Sequence, residues 1–287
     1  MRLTGAFARR LLAAMLGTLP IAAALPAAAD AQPNRIRIEY VAPKSPEHQA
    51  IFEMAKERRV LEKLQEMYGA FKLPVDLALR TVSCDGVSNA WYANGRVSVC
   101  YEYLEDVKNM MPSETTAHGI TPADAVAGQF FYVMSHEMGH AMFDLLSIPV
   151  FGRGEDAADQ FATYIMLQFG KDQARRFILG AAHSYKNFID RPKVTAPLKA
   201  FSDTHSPPPV RFFNLLCLAY GADSNLFGDL VTEGFLPEQR ASACRREYRE
   251  VAYAFKTLIG PHLDKQIAQR VLQTNWLPDE AARPSQQ

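Results

Sequence analysis

The segment "TPADAVAGQFFYVMSHEMGHAMFDLL", Thr121 to Leu146, constrains this chain more than any other. Pro122 one residue after Thr121 suits a cap and first helical turn, and the run behind it continues as one long apolar helix. Within it His136 and His140 stand four residues apart, which on a helix puts both on one face. Glu137 follows the first of them directly. Two imidazoles on one face can meet a single cation while the carboxylate sits beside them against an open coordination position. A zinc hydrolase needs that arrangement, because zinc held by two imidazoles and a carboxylate keeps a fourth position for water, lowers its pKa toward about 7 and uses a neighbouring Glu as general base. The plainer reading is an amphipathic helix that carries solvated or core histidines.

A third ligand has to come from another helix packed against the first. "GEDAADQFATYIM" offers Glu155 and Asp159 one turn apart, with Asp156 as a rival ligand. H-E-x-x-H followed by E-x-x-A-D resembles the gluzincin metallopeptidases, the clan of thermolysin and of the CAAX prenyl endopeptidases. The resemblance implies one zinc ion (Zn2+) per chain with His136, His140 and Glu155 as ligands and Glu137 as general base. It makes Asp159 the carboxylate that accepts an N–H from a liganding histidine, fixing its tautomer and raising its basicity. A third histidine at the metzincin position is absent, since Phe143 and Leu146 stand where Gly and His would be. Only "AMFDLLSIPVFGRG" separates His140 from Glu155, which implies a compact, open site.

Two further stretches carry the likeness. "THSPPPVRF" is similar to the His-Pro loop of prenyl-type endopeptidases, with His205 and Arg211 at the same six-residue spacing and Ser206 departing from the expected Pro. That similarity implies His205 as donor to the oxyanion and Arg211 as a substrate-binding residue. His183 is the competing donor; His48, His118 and His262 read as surface residues. "NAWY", Asn89 to Tyr92, resembles the thermolysin edge segment and implies that the Asn89 amide and the Ala90 backbone hold substrate as an added strand. Alternatively, Trp91 and Tyr92 fill the core and Asn89 caps a turn. As a whole, the chain resembles the exported bacterial proteins called "putative metallopeptidases".

The N-terminus points to export. Arg2, Arg9 and Arg10 precede a stretch of Ala, Leu and Met from Leu11 to Ala29, closed by Ala29-Asp30-Ala31, the pattern of a cleaved signal over residues 1–31. An uncleaved anchor is the alternative, but Pro20 and Pro26 interrupt the run. No other segment is long enough to span a bilayer, so no stable membrane insertion is expected after cleavage, and the location is periplasmic or secreted. In that compartment an even count of four cysteines favours disulfides, pairing Cys84 with Cys100 and Cys217 with Cys244. No C-x-x-C spacing makes them metal ligands.

With 48% hydrophobic and 22% charged residues in 287, the chain can bury a sizeable core, and a net charge of +0 gives no reason to expect nucleic acid as partner. Strands are expected at Arg35–Val41, within "LPVDLALRTVSC" and at Val97–Tyr103, the last after the Asn94-Gly95 turn. A helix is expected over Pro46–Met67, another over Glu155–Phe169, a loop at "DTHSPPPVR" and helix from there to Leu272. The fold class is therefore α+β and zincin-like: a lobe with a small mixed sheet and helices, then a helical lobe, in a single domain over residues 32–287. The expected function is zinc-dependent hydrolysis of an exported peptide or protein. Its rival is a non-catalytic zinc-containing binding module of the cell envelope, against which an intact Glu137 argues.

Overall fold

The computed structural model describes residues 34–189 and 201–277; the expected signal segment lies outside them. Short segments make the sheet; the first two bury alternate residues, while Val97 to Cys100 is buried throughout. Strands β1 (Ile36–Tyr40), β2 (Leu77–Val82) and β4 (Arg96–Cys100) run parallel, while β3 (Ala90–Ala93) closes one edge antiparallel to β4, in the order β1-β2-β4-β3. Asn94 and Gly95 form the two-residue turn between β3 and β4 at φ of 51° and 70°, left-handed values suited to these two residue types.

The single helix expected over Pro46–Met67 is two: α1 (Gln49–Glu57) and α2 (Val60–Met67), separated at Arg59, whose φ is 52°. They serve different cores. Ile51 and Phe52 pack against Tyr101, whereas Leu61 and Leu64 belong to the main core, and a straight helix could not supply both. The strand expected to reach Tyr103 ends at Cys100, and α3 (Tyr101–Asn109) begins at once. Tyr101 is drawn inward there, its hydroxyl bonding the Val41 carbonyl at 2.5 Å and the Thr81 hydroxyl at 2.8 Å.

The helical lobe is built around α4 (Pro122–Leu145), opened by a capping box in which Thr121 and Asp124 satisfy each other's backbone N–H. It is followed by α5 (Gly154–Leu167), α6 (Lys171–Ile189), α7 (Pro208–Ala222), α8 (Asp229–Thr232), α9 (Glu238–Ala254) and, after a π-helical turn at Phe255–Ile259, α10 (Lys265–Gln273). The expected loop "DTHSPPPVR" therefore stops at Pro207: Pro208 and Pro209 open α7, where the first-turn N–H groups have no intrahelical partner to lose. Close backbone contact sets the crossing of α4 and α6. A Cβ on Gly180 would stand 2.1 Å from the Asp124 carbonyl oxygen, and one on Gly128 would stand 2.6 Å from that of Phe177.

The main hydrophobic core extends from Ile36 to Leu277 among the described residues, with the small cluster of Ile51, Phe52 and Tyr101 beside it. Disulfides join Cys84 to Cys100, tying the loop before β3 to the end of β4, and Cys217 to Cys244, tying α7 to α9. No helix among the described residues is long and apolar enough to cross a membrane.

Candidate metal centre

Helix α4 carries its polar residues into the interior. His136 is 2% exposed and Glu137 6%, on a helix whose Met134, Met138, Ala141 and Met142 are fully buried. Such burial is costly for a charged group unless partners stand ready. They come from α5, which packs closely because position 139 is glycine: a Cβ there would lie 3.2–3.3 Å from Phe161 and Ala158.

His136 Nδ1 is 2.7 Å from Asp159 Oδ1. A carboxylate only accepts, so the ring N–H is on Nδ1 and the Nε2 lone pair faces the other way. On that side Nε2 meets Glu155 Oε2 at 3.0 Å and His140 Nε2 at 3.1 Å, and His140 Nε2 lies 3.2 Å from the same Glu155 oxygen. Two imidazole nitrogens and a carboxylate oxygen, all within 4.8 Å of one another, converge on one point. Three acceptors in that geometry require positive charge between them, and a borderline metal such as zinc takes N and O donors of these types. His136, His140 and Glu155 therefore fit a metal ion, with Asp159 holding His136 in the ligating tautomer.

The proton affinities express the same demand. Burial alone would lower the His136 pKa, but hydrogen bonds to Asp159 and Glu155 outweigh it and push the ring up to about 9. The His136 hydrogen bond holds Glu155 down to about 2. Asp159, although buried, is held well below the usual carboxylate range by His136 and Arg211. Burial and the His136 charge lower His140, and burial raises Glu137.

A pH dependence follows. Between the lowered pKa of His140 and the value of about 9 for His136, a metal ion must displace one proton from the His136 ring. Metal affinity is expected to rise about tenfold per pH unit from pH 7 to 8 in chelator-competition titrations; an affinity flat with pH would contradict the assigned tautomer. In the metal-free protein the sign reverses. The raised His136 pKa contributes stability that is fully present below about 6.5 and is lost as pH rises through about 9.

Around this centre the other expected residues take distinct places. His205 Nε2 reaches Glu155 Oε2 at 2.9 Å, and its ring stacks on His136 with centroids 5.8 Å apart. Arg211, expected to bind substrate, faces a carboxylate of α5. Its Nε and Nη2 donate to Asp159 at 2.7 and 2.6 Å, and its guanidinium lies beside the rings of Tyr132 and Tyr185, so the fork braces the carboxylate behind His136. Asp156 stays out of the cluster because its Oδ1 accepts the Ser206 hydroxyl at 2.7 Å. His183 lines a separate pocket with Leu179, Phe212 and Leu216. His48 is a correction to the surface reading: it is 4% exposed, packed beside Tyr101 and 3.5 Å from Glu105. His118 keeps an exposed position and pairs with Glu233 at 2.8 Å.

Edge strand β3 lies against α4. The Asn89 carbonyl accepts the Cys100 N–H at 3.1 Å, so in this register Trp91 and Ala93 make the next ladder bonds. The main-chain groups of Ala90 and Tyr92 then point outward from the sheet. The Tyr92 hydroxyl donates to Asp144 at 2.6 Å, closing β3 onto α4. Asn89 has an exposed side chain at the start of this edge. The ties that Tyr92, Arg153 and Ser206 make were not legible in the sequence, since nothing local marks a contact with a distant element.

No curated protein and no solved structure matches the chain. Residues 40–259 match the family DUF4344, described as "Putative metallopeptidase". That span holds three of the four strands, the metal-fitting cluster and most of the helical lobe, and with them more than half of the 287 residues, so the chain belongs to this metallopeptidase family.

Proposed function

We propose that this protein is a zinc-dependent peptidase of the gluzincin type, acting on an exported peptide or protein, as one domain over residues 32–287. The observation that carries the proposal is the convergence of His136, His140 and Glu155 on one point, with His136 braced from behind by Asp159. Zinc bound there supplies a Lewis acid and an acidified water. Glu137 is the general base: its carboxyl is buried beside the cluster, burial raises its proton affinity, and it is placed to take and return a proton. His205, half-exposed beside the cluster, is the donor to charge that develops on the scissile carbonyl. Two disulfides suit an oxidising, extracytoplasmic location.

The outward main-chain groups of Ala90 would take the substrate backbone as an added antiparallel strand, with the Asn89 amide beside them. Asn89→Ala is expected to lower kcat/KM by about fivefold or more, the loss of one hydrogen bond of about 1 kcal/mol, with metal content intact. Equal kinetics on a cleaved peptide would return Asn89 to a turn-forming role. The whole reading is tested by metal analysis of the purified mature protein together with cleavage of an unbiased peptide library. Stoichiometric zinc with chelator-sensitive cleavage supports it; a protein that holds zinc and cleaves nothing would favour a binding module instead.

A further inference from the structure

Helix α5 starts in an unusual way. Its N-cap residue is Arg153, which makes no capping bond. Ser, Thr, Asp or Asn normally fills this position, and a cation at the positive end of a helix opposes the dipole. A residue that breaks a local rule is often held there by function. The Arg153 guanidinium crosses to another loop, where Nη2 donates to the carbonyl oxygens of Asp203 at 2.5 Å and Thr204 at 2.6 Å. Two residues into α5, Asp156 accepts the hydroxyl of Ser206, a side chain only 7% exposed, and Arg153 Nε lies 3.9 Å from the other Asp156 oxygen. Between these ties stands His205. Its backbone N–H donates to the Asp203 carboxylate at 2.9 Å and its ring Nε2 reaches Glu155 at 2.9 Å.

The same loop is fastened again further along. After Pro207, whose ring limits the backbone, α7 begins, and Arg211 on its first turn reaches Asp159 with two donors. The chain from Asp203 to Arg211 is thus clasped to α5 at two points one turn apart. The front clasp, Arg153 with Asp156 and Ser206, ends on His205. The back clasp, Arg211 on Asp159, ends on His136, since Asp159 Oδ1 is the atom that His136 Nδ1 meets.

We propose that the two arginines divide the work: Arg153 is a positioning residue that acts through His205 on turnover, and Arg211 is a positioning residue that acts through Asp159 and His136 on metal affinity. The turnover half rests on the peptidase reading above; the metal and loop half does not. Neither arginine has a donor directed at the point where the ligands converge, so each works only through the residue it holds.

The test compares Arg153→Ala, Arg153→Lys, Ser206→Ala and Arg211→Ala in the mature protein, read by zinc titration, by amide hydrogen exchange at Thr204, His205 and Ser206, and by kcat and KM on a peptide from the library. Arg153→Ala is expected to keep wild-type zinc affinity, to exchange faster at those amides, and to lose about 10- to 100-fold in kcat. Lys at 153 recovers part of both effects, and Ser206→Ala shifts exchange in the same direction. Combined with His205→Ala, the Arg153 substitution adds no further loss, because it acts through that ring. Arg211→Ala is expected to weaken zinc about 10- to 100-fold. Unchanged exchange in Arg153→Ala, zinc loss matching that of Arg211→Ala, or a further drop in the double variant each overturns the division. If no peptide is cleaved by the zinc-loaded wild type, the peptidase reading fails, while exchange and zinc affinity still decide between the two clasps.

Discussion

Glu137→Gln should hold one zinc per chain and lose peptide turnover by about 10²- to 10⁴-fold. The side chain is one residue from a ligand yet outside the ligand cluster, which comprises His136, His140 and Glu155. Glutamine preserves its volume, and the bond from the Tyr92 hydroxyl to Asp144 still holds β3 against α4. What disappears is the only function an amide cannot supply, reversible uptake of a proton. Burial raises the carboxyl of Glu137, which favours uptake of the proton that the amide cannot accept. Metal analysis and kcat/KM on the same preparation check this. A variant that loses zinc would make Glu137 a structural member of the site, and one that keeps turnover would place the base elsewhere.

Removing a ligand is expected to act on metal and stability together. His136→Ala deletes the ring that joins α4 to α5 through both Asp159 and Glu155, and it strips zinc. It also leaves Asp159, 8% exposed, with Arg211 as its charged partner. Loss of a charge-assisted hydrogen bond costs about 1.5–3 kcal/mol. At about 2–4 °C per kcal/mol for a domain of this size, Tm falls by roughly 3–12 °C even against the metal-free wild type. Glu155→Ala is expected to strip zinc as well, with a smaller fall, because its side chain is 23% exposed and so loses less burial than that of His136, which is 2% exposed. Asp156→Ala should keep zinc, since its carboxylate is committed to Ser206. In the ligand variants chelator should no longer move Tm, whereas in wild type it should lower it. Zinc retained in Glu155→Ala and lost in Asp156→Ala would shift the ligand by one residue.

Several features were legible because their cause lies within a few residues. The four-residue step from His136 to His140 puts both rings on one face of any helix. Asn94-Gly95 makes its turn through its own left-handed backbone, and Thr121 with Pro122 starts α4 by local capping. The α+β class was legible from the change of period along the chain. Where the reading erred, two distant surfaces competed for one segment. The break at Arg59 exists because Phe52 and Leu61 belong to different cores, and the early end of β4 exists because Tyr101 is bonded to Thr81 and Val41.

By itself, then, the sequence determined that two imidazoles share one face of an apolar helix with a carboxylate beside them, and that acidic residues follow on the next helix. Only the tertiary structure decided which of those acids meets the histidines, because Glu155 and Asp156 are adjacent in sequence and differ by about 100° around the helix axis. Gly139 lets α5 close on α4 so that Glu155 faces His136, while Asp156 turns to Ser206 fifty residues away. Arg211 shows the same limit: its spacing from His205 was visible, but the direction of its guanidinium was set by a buried carboxylate on another helix and by the rings of Tyr132 and Tyr185. Long, flexible side chains take their partners from whatever packing brings within reach, and that information is not local to any stretch of the chain.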